Sequence, residues 1–504
     1  MADTTTATGD AAAIAAYPQW LGHPRPLWML FMSEFWERFA FYGMRWALTL
    51  YIVAQFFGGD EAGQASASRI YGAYLALVYA TAVFGGYIAD RVIGYQRSIL
   101  LGAVVMAGGL FMVMVPNQQV FMLGLATIVV GNGLFKPNVS SMVGQLYAPG
   151  DSRRDRAFTL FYMGINAGGL MAPLLTGYLA EQVFGTPQQF NYQVVFAASG
   201  VGMVISLVWF WFGRRQLGEV GRPAPAIAGK VRVVYVALGI LVAIPLVYLL
   251  MDRAGAVVLQ WLLSALFVGV GAMLAIEGKR CGRVQIQRVI AMLVIFAFNV
   301  LFWMFFEQAG SSFNFLAQNI VDRRMFDGWM FPVGWFQSVN PVAIVLLAPL
   351  ISLVWAWLDR RRAEPSIPRK FGLGLIGNAL GFAVLMFALS HMVGGNGMIP
   401  LWTLVLCYLL QTAGELCLSP IGLSMVSKLA PARLVGLGMG GWFLSTAIGN
   451  NLAGLFAGHV SGAGGMTVAS ALGGYTSGFW ILFGAGVLLL LIAPLINRLM
   501  HGVR

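Results

Sequence analysis

The sequence predicts an all-α, polytopic membrane protein of fourteen transmembrane helices, and three observations predict it. Of its 504 residues, 59% are hydrophobic and only 10% charged, against about 25% charged in a soluble domain. Fourteen stretches are apolar over the roughly 20 residues that a bilayer crossing needs. The density of basic residues alternates from one connecting loop to the next.

In chain order the spans lie near 28–57, 69–90, 97–115, 119–147, 157–181, 191–213, 231–251, 255–276, 285–319, 334–358, 371–392, 398–427, 433–460 and 476–497. Before them, Met1 to Trp20 contains Asp3 and Asp10 but no Lys or Arg. It lacks the basic start of a secretory signal and reads as a short disordered tail. One set of loops holds Arg25, Arg91, Arg97, Arg153, Arg154 and Arg156. It also holds the basic residues of 214–232, 279–288, 360–370 and 428–433, with Arg498 and Arg504. The opposite set holds only Arg69, Arg253, Arg323 and Arg324. Basic loops stay in the cytoplasm, so both termini are expected there. The net charge of +12 is then an orientation signal, not a nucleic-acid footprint. Cys281, Cys407 and Cys417 lie in or beside apolar runs, and they read as small buried hydrophobes instead of a disulfide framework.

A short repeat links the two ends of the chain. Pro137-x3-Ser141-Met142-Val143-x2-Leu146 recurs as Pro420-x3-Ser424-Met425-Val426-x2-Leu429, relating the fourth span to the twelfth. Two six-helix halves with a helix pair inserted between them would produce that spacing, and transporters are often built from such repeats. The boundaries implied are a cytoplasmic tail over 1–27, an N-terminal bundle over 28–213, an inserted pair with linkers over 214–284 and a C-terminal bundle over 285–504.

Ionisable residues within spans are costly in lipid and mark function. Seven stand out: Glu34, Glu37, Arg38, Arg45, Lys136, Glu307 and Glu415. A purely structural reading is that they pair and hold helices together. The first span argues for more. Glu34, Glu37, Arg38, Phe41, Tyr42 and Arg45 fall on one helical face within about 140°, and a stripe of four charges must line a polar cavity. Three cations meet four carboxylates, so one carboxylate is in surplus. Such a group in a low-dielectric site tends to hold a proton. Arg38 and Lys136 suit a substrate carboxylate, and Glu415 suits an ammonium. The set fits a zwitterion whose charged ends are several ångströms apart.

These residues resemble the proton-dependent oligopeptide transporter family of the major facilitator superfamily. The first span reads Glu34-Phe-Trp-Glu37-Arg38-Phe39-Ala-Phe41-Tyr42-Gly43, with Phe41 where the family pattern has a tyrosine. Gly85-Gly86-Tyr-Ile-Ala-Asp90-Arg91-Val-Ile-Gly94-Tyr-Gln-Arg97 is similar to the superfamily's loop signature. Gly133-Leu-Phe-Lys136-Pro137-Asn138, Phe161-Tyr162-Met-Gly-Ile165-Asn166-Ala-Gly168 and Phe302-Trp303-Met-Phe-Phe306-Glu307-Gln308 resemble the family's fourth, fifth and seventh helices. Asn340-Pro341, Gly414-Glu415-Leu416-Cys-Leu-Ser419-Pro420 and Trp442 resemble its eighth, tenth and eleventh.

The resemblance implies a major facilitator fold and symport of di- or tripeptides with protons into the cytoplasm by alternating access. It implies a monomer in the inner membrane, driven by the proton gradient, with no cofactor and no metal. It places Arg38, Tyr42, Tyr79 and Lys136 at the peptide's carboxyl end and backbone. Asn166, Asn340 and Glu415 fall at the amino end, and Trp303, Ser419 and Trp442 around side-chain pockets. Tyr79 and Trp442 also suit plain packing. Glu34, Glu37, Arg38, Lys136 and Glu307 are implied in proton coupling, and Arg45 with Glu307 in a gating bridge.

Two other classes are weighed. A drug–proton antiporter would carry G-x-x-x-G-P-x-x-G-G in the fifth helix, and Gly164-Ile-Asn-Ala-Gly168-Gly-Leu-Met-Ala-Pro173 does not match it. Another solute carried on the same fold remains the alternative. An intramembrane enzyme needs a catalytic constellation. His23, His391, His459 and His501 all lie near span ends, with no metal-ligand spacing, so no enzyme is expected.

Overall fold

The computed structural model describes residues 17–148, 151–223, 225 and 229–503. Among these, fourteen helices of 19 or more residues follow one another. They are α1 (Arg25–Phe56), α2 (Gln64–Ile88), α3 (Tyr95–Val113), α4 (Gln118–Gln145), α5 (Arg153–Tyr178), α6 (Tyr192–Gly213) and α7 (Lys230–Met251). Then come α8 (Arg253–Arg280), α9 (Arg283–Phe306), α10 (Phe336–Arg360), α11 (Ile367–His391), α12 (Leu401–Leu429), α13 (Val435–Ser461) and α14 (Val468–Met500).

Twelve of them are long and apolar enough to cross a membrane among the described residues. The other two have evident reasons to fall short. Helix α1 carries Glu34, Glu37, Arg38 and Arg45, and α13 is rich in glycine and buries Ser445, Thr446, Asn450 and Asn451. Large apolar side chains such as Trp261, Leu491 and Val242 are more than 70% exposed. In a membrane that surface meets lipid, so the exposed apolar area is expected. This is an all-α, multi-pass membrane protein.

The part of the expected tail up to residue 16 lies outside the described residues. From Tyr17 the chain is structured earlier than the sequence suggested. Gln19–Trp20 pairs antiparallel with His23–Pro24, and α1 starts at Arg25. Leu21 and Gly22 make the connection with φ of 50° and 77°, the geometry of a tight two-residue hairpin turn.

The single span expected over 285–319 is interrupted. Helix α9 stops at Phe306, a tight turn covers Glu307–Gly310, and a short helix runs over Ser312–Asn319. Ser311 has non-helical angles of −130° and −93°. The break exposes carbonyls that lipid could not satisfy. Side chains take them up: the carbonyl of Ala309 accepts from Gln337 and from Tyr408 Oη, the latter at 3.3 Å.

By compactness the described chain forms two units. Their borders differ from the expected halves. The first holds the residues up to Arg45 with Ala80–Leu249, and the second holds Trp46–Tyr79 with the residues from Leu250 onward. Within the first, α3 packs between α4 and α6, and interhelical hydroxyl bonds add to the packing. Ser206 Oγ donates to Ser33 O at 2.7 Å, and Thr176 Oγ1 to Gly43 O at 2.9 Å.

In the second unit, α11 packs on α12 and α14, and α8 on α9 and α13. Asn451 Nδ2 donates to Gln260 Oε1 at 2.6 Å, tying α13 to α8. The first half of α2 packs on α13 with backbones in contact. A Cβ on Gly454 would lie 2.4 Å from Ser68 O, and one on Gly72 would lie 2.8 Å from Gly454 Cα. Only glycine fits at both positions.

Candidate substrate and proton site

Proline punctuates the helices beside three of the predicted residues. Lys136, Asn340 and Ser419 each directly precede a proline inside a helix, namely Pro137, Pro341 and Pro420. Proline donates no backbone hydrogen bond and its ring pushes away the carbonyl four residues back.

In the first unit, Arg38 is the centre of a buried charge cluster. Arg38 is 3% exposed, Glu34 1% and Glu37 0%. Arg38 meets Glu37 through two parallel hydrogen bonds from Nε and Nη2, the bidentate geometry that makes such pairs strong. Its Nε lies 3.4 Å from Glu34 Oε1. Asn132 Nδ2 on α4 donates to Glu37 Oε1 at 3.1 Å. Glu37 is therefore hydrogen-bonded on both carboxylate oxygens. Glu34 is not: its Oε2 is buried and has no hydrogen-bond partner among the described residues. Glu37, Arg38 and half-buried Lys136 all act on Glu34 through their charges.

The aromatics follow the same helix face. The Arg38 guanidinium lies over the Phe41 ring at 5.0 Å, and Arg45 over Tyr42 at 5.7 Å. Phe41 thus keeps a cation–π surface and lacks only the hydroxyl a tyrosine would bring. Helix α5 reaches this face at Gly168 and Gly169, where an added Cβ would press on Phe35 O and the Tyr42 ring. Asn166, one half-turn earlier, is buried and donates to Tyr162 O at 2.9 Å.

In the second unit, Asn340 on α10 bridges to α12. Its Nδ2 donates to Glu415 Oε2 and to Thr412 Oγ1, both at 2.9 Å. Glu415 is 9% exposed, and Ser419 follows one turn later, half-buried. Trp303 Nε1 donates to Asn299 Oδ1 at 3.1 Å, and Asn299 Nδ2 donates to Ser445 Oγ and Thr446 Oγ1 on α13. Trp442 fills the interior. It is 5% exposed, packs against Phe296 and Phe371 with centroids at 5.8 and 6.1 Å, and leaves no space for a Cβ on Gly422. Tyr79 is half-buried in the same unit, and Glu307 is 4% exposed at the interruption after α9.

The sequence reading missed Asn132, Asn299 and Thr412. Asn132 had a usable signal, since it stands four residues before Lys136 on the same face of an apolar helix. Asn299 and Thr412 had none beyond being polar in apolar runs.

A family model for the POT family (PTR2) matches residues 96–471, well over half of the chain. The chain belongs to the POT family. A peptide transporter of Yersinia enterocolitica subsp. palearctica, YePEPT, is 38% identical, with 96% of each chain covered. Dipeptide and tripeptide permease B of Photorhabdus luminescens is 32% identical over 95% of this chain and 98% of its own length. Among solved structures, a peptide transporter POT in complex with sulfate superimposes with a TM-score of 0.83 at 33% identity, covering 98% of this chain and 99% of that one. The POT-family match begins at residue 96, after α1. The Glu34–Arg45 stripe is included through these nearly full-length relatives.

Proposed function

We propose that the chain is a proton-coupled symporter of di- and tripeptides, working by alternating access in the cell's inner membrane with both termini cytoplasmic. It acts as a monomer, without cofactor and without enzymatic chemistry, and the proton gradient drives it. The relatives named as peptide transporter and as dipeptide and tripeptide permease support the substrate class. The observation that carries the coupling is the Arg38 cluster. One carboxylate, Glu37, is fully engaged, and the other, Glu34, has a buried oxygen with no hydrogen-bond partner among the described residues. A carboxyl with one oxygen left over in this way is placed to take up and release a proton.

In this reading Arg38, Tyr42, Tyr79 and Lys136 engage the carboxyl end and backbone of the peptide. Asn166, Asn340 and Glu415 engage its amine, and Trp303, Ser419 and Trp442 border its side chains. The test is purified protein in liposomes given labelled di-alanine, with and without an inward proton gradient. Accumulation above equilibrium only with the gradient is expected. Accumulation that ignores the gradient would sink the coupling, and no uptake of di-alanine would move the substrate away from peptides. The gating role proposed for Arg45 and Glu307 has its own test. Arg45→Ala and Glu307→Ala should impair transport alike, and the double variant should be no worse than either single one.

A further inference from the structure

We propose that Thr412 is a positioning residue: it fixes the Asn340 amide so that its nitrogen faces Glu415 and its carbonyl oxygen is presented to the substrate's ammonium. This rests on the reading above that the Asn340–Glu415 pair takes the amino end of a peptide.

The Thr412 hydroxyl has a single proton, and it is spent on the carbonyl of Tyr408 at 2.7 Å, one turn back on α12. Toward Asn340, Thr412 Oγ1 can therefore only accept. An ionised Glu415 can also only accept. Asn340 thus faces two acceptors, each at 2.9 Å, and its NH2 group has two protons to give. Rotating the amide by half a turn would set its carbonyl oxygen against both acceptors. Oxygen and nitrogen of an amide have nearly the same shape, so this hydrogen-bond pattern alone decides the orientation.

The consequence lies on the other side of the amide. Thr412 and Glu415 both engage the Asn340 nitrogen and leave Oδ1 on the other side of the amide, and Asn340 is half-buried directly before Pro341 in α10. A primary ammonium carries three N–H donors. It can give one to the Glu415 carboxylate and one to Asn340 Oδ1. An acetylated amine carries one donor and no charge, and it satisfies neither group well. Without Thr412 the Asn340 nitrogen has one acceptor fewer, and the amide samples orientations in which its oxygen no longer faces the amine. Thr412 never touches the substrate. It acts through Asn340.

The test is uptake of labelled di-alanine in liposomes by wild type, Thr412→Val, Thr412→Ala, Thr412→Ser and Glu415→Gln, with competition by unlabelled di-alanine and N-acetyl-di-alanine. Thr412→Val is nearly isosteric but has no acceptor. It is expected to raise KM about fivefold to twentyfold, as the loss of one hydrogen bond in a charged network does, with the maximal rate within about twofold. The preference for the free amine should narrow by a similar factor. Thr412→Ala should follow Thr412→Val, and Thr412→Ser, which keeps the acceptor, should follow the wild type. Wild-type KM and full preference in either Thr412→Val or Thr412→Ala would overturn the proposal. So would equal loss of maximal rate and thermal stability in the Val and Ser variants, because that is the signature of packing. Glu415→Gln separates the two readings. If it keeps the full preference, the pair does not read the amine at all, whatever Thr412 does. If it loses the preference and the Thr412 variants do not, only the positioning role fails.

Discussion

At the scale of single residues, the two carboxylates flanking Arg38 are not equivalent, and their replacement should separate their roles. Glu37 receives two hydrogen bonds from Arg38 and one from Asn132. Glu37→Gln leaves a buried guanidinium poorly compensated, at a cost of about 3–5 kcal/mol. It should lower thermal stability as well as transport. Glu34→Gln removes a group whose second oxygen has no hydrogen-bond partner among the described residues. It should abolish gradient-driven accumulation while peptide-for-peptide exchange persists, as measured by counterflow in the same liposomes. Full accumulation in Glu34→Gln would remove it from the coupling step. The charged members of the proposed site stand out in the sequence because ionisable groups in an apolar run have a cost that must be repaid. Asn132, Asn299 and Thr412 do not, because a neutral amide or hydroxyl in a membrane helix is common and only its geometry shows what it holds.

At the scale of elements, two junctions that the sequence did not announce can be tested by stability. The N-terminal hairpin is held to the region between α4 and α5. His23 is 7% exposed, its Nδ1 and Tyr147 Oη share a hydrogen bond of 2.8 Å, and Gln19 accepts from Arg153 at 3.3 Å. Burial, then the charges of Arg156 and Arg153, hold the His23 pKa below the ordinary imidazole value, against an opposing pull from Asp151. An unfolded chain takes up this proton near pH 6.5, but the folded one resists it. The unfolded state then binds more protons, so stability rises with pH. The contribution is intact above about pH 6.5 and fades as pH falls toward the lowered folded value. Thermal unfolding in detergent should therefore drop between pH 7.5 and 5.5, and His23→Gln should flatten that slope; an unchanged slope would exclude His23 as its source. The α2–α13 junction behaves differently. Gly454→Val places methyl groups where Ser68 O and Gly72 Cα already stand. Overpacking costs about 1–3 kcal/mol, so its melting temperature and uptake should both fall, whereas Gly464→Val, where nothing lies within 4 Å of an added Cβ, should act only through its backbone. Helix existence and order were readable from apolar length for twelve of the fourteen helices, and α1 and α13 fall short of that measure. The interruption at Glu307–Gly310 was not, since its cause is the set of side chains that capture the freed carbonyls, and these come from residues 28 and 99 positions away.

At the scale of the whole molecule, helix number and loop charge together bear on which way the chain threads the membrane. Fourteen helices are an even number, so both termini emerge on one side if all of them cross. The loop charges then give the side. The facing ends of α8 and α9 and their connection carry Lys279, Arg280 and Arg283 within five residues, and such clusters stay in the cytoplasm. The same connection contains Cys281. It is exposed, whereas Cys407 is buried and Cys417 only partly accessible, each within α12. The native chain therefore holds one well-exposed thiol as a reporter of topology. A membrane-impermeant maleimide should leave intact cells unlabelled and should label inverted membrane vesicles at a single site. Cys281→Ser should remove that labelling while preserving uptake of di-alanine, because the loop lies outside every group assigned to substrate or proton. Labelling of intact cells that disappears in Cys281→Ser would reverse the orientation of all fourteen helices. It would also turn the proposed importer into a chain whose basic loops face outward, against the charge pattern from which the orientation was read.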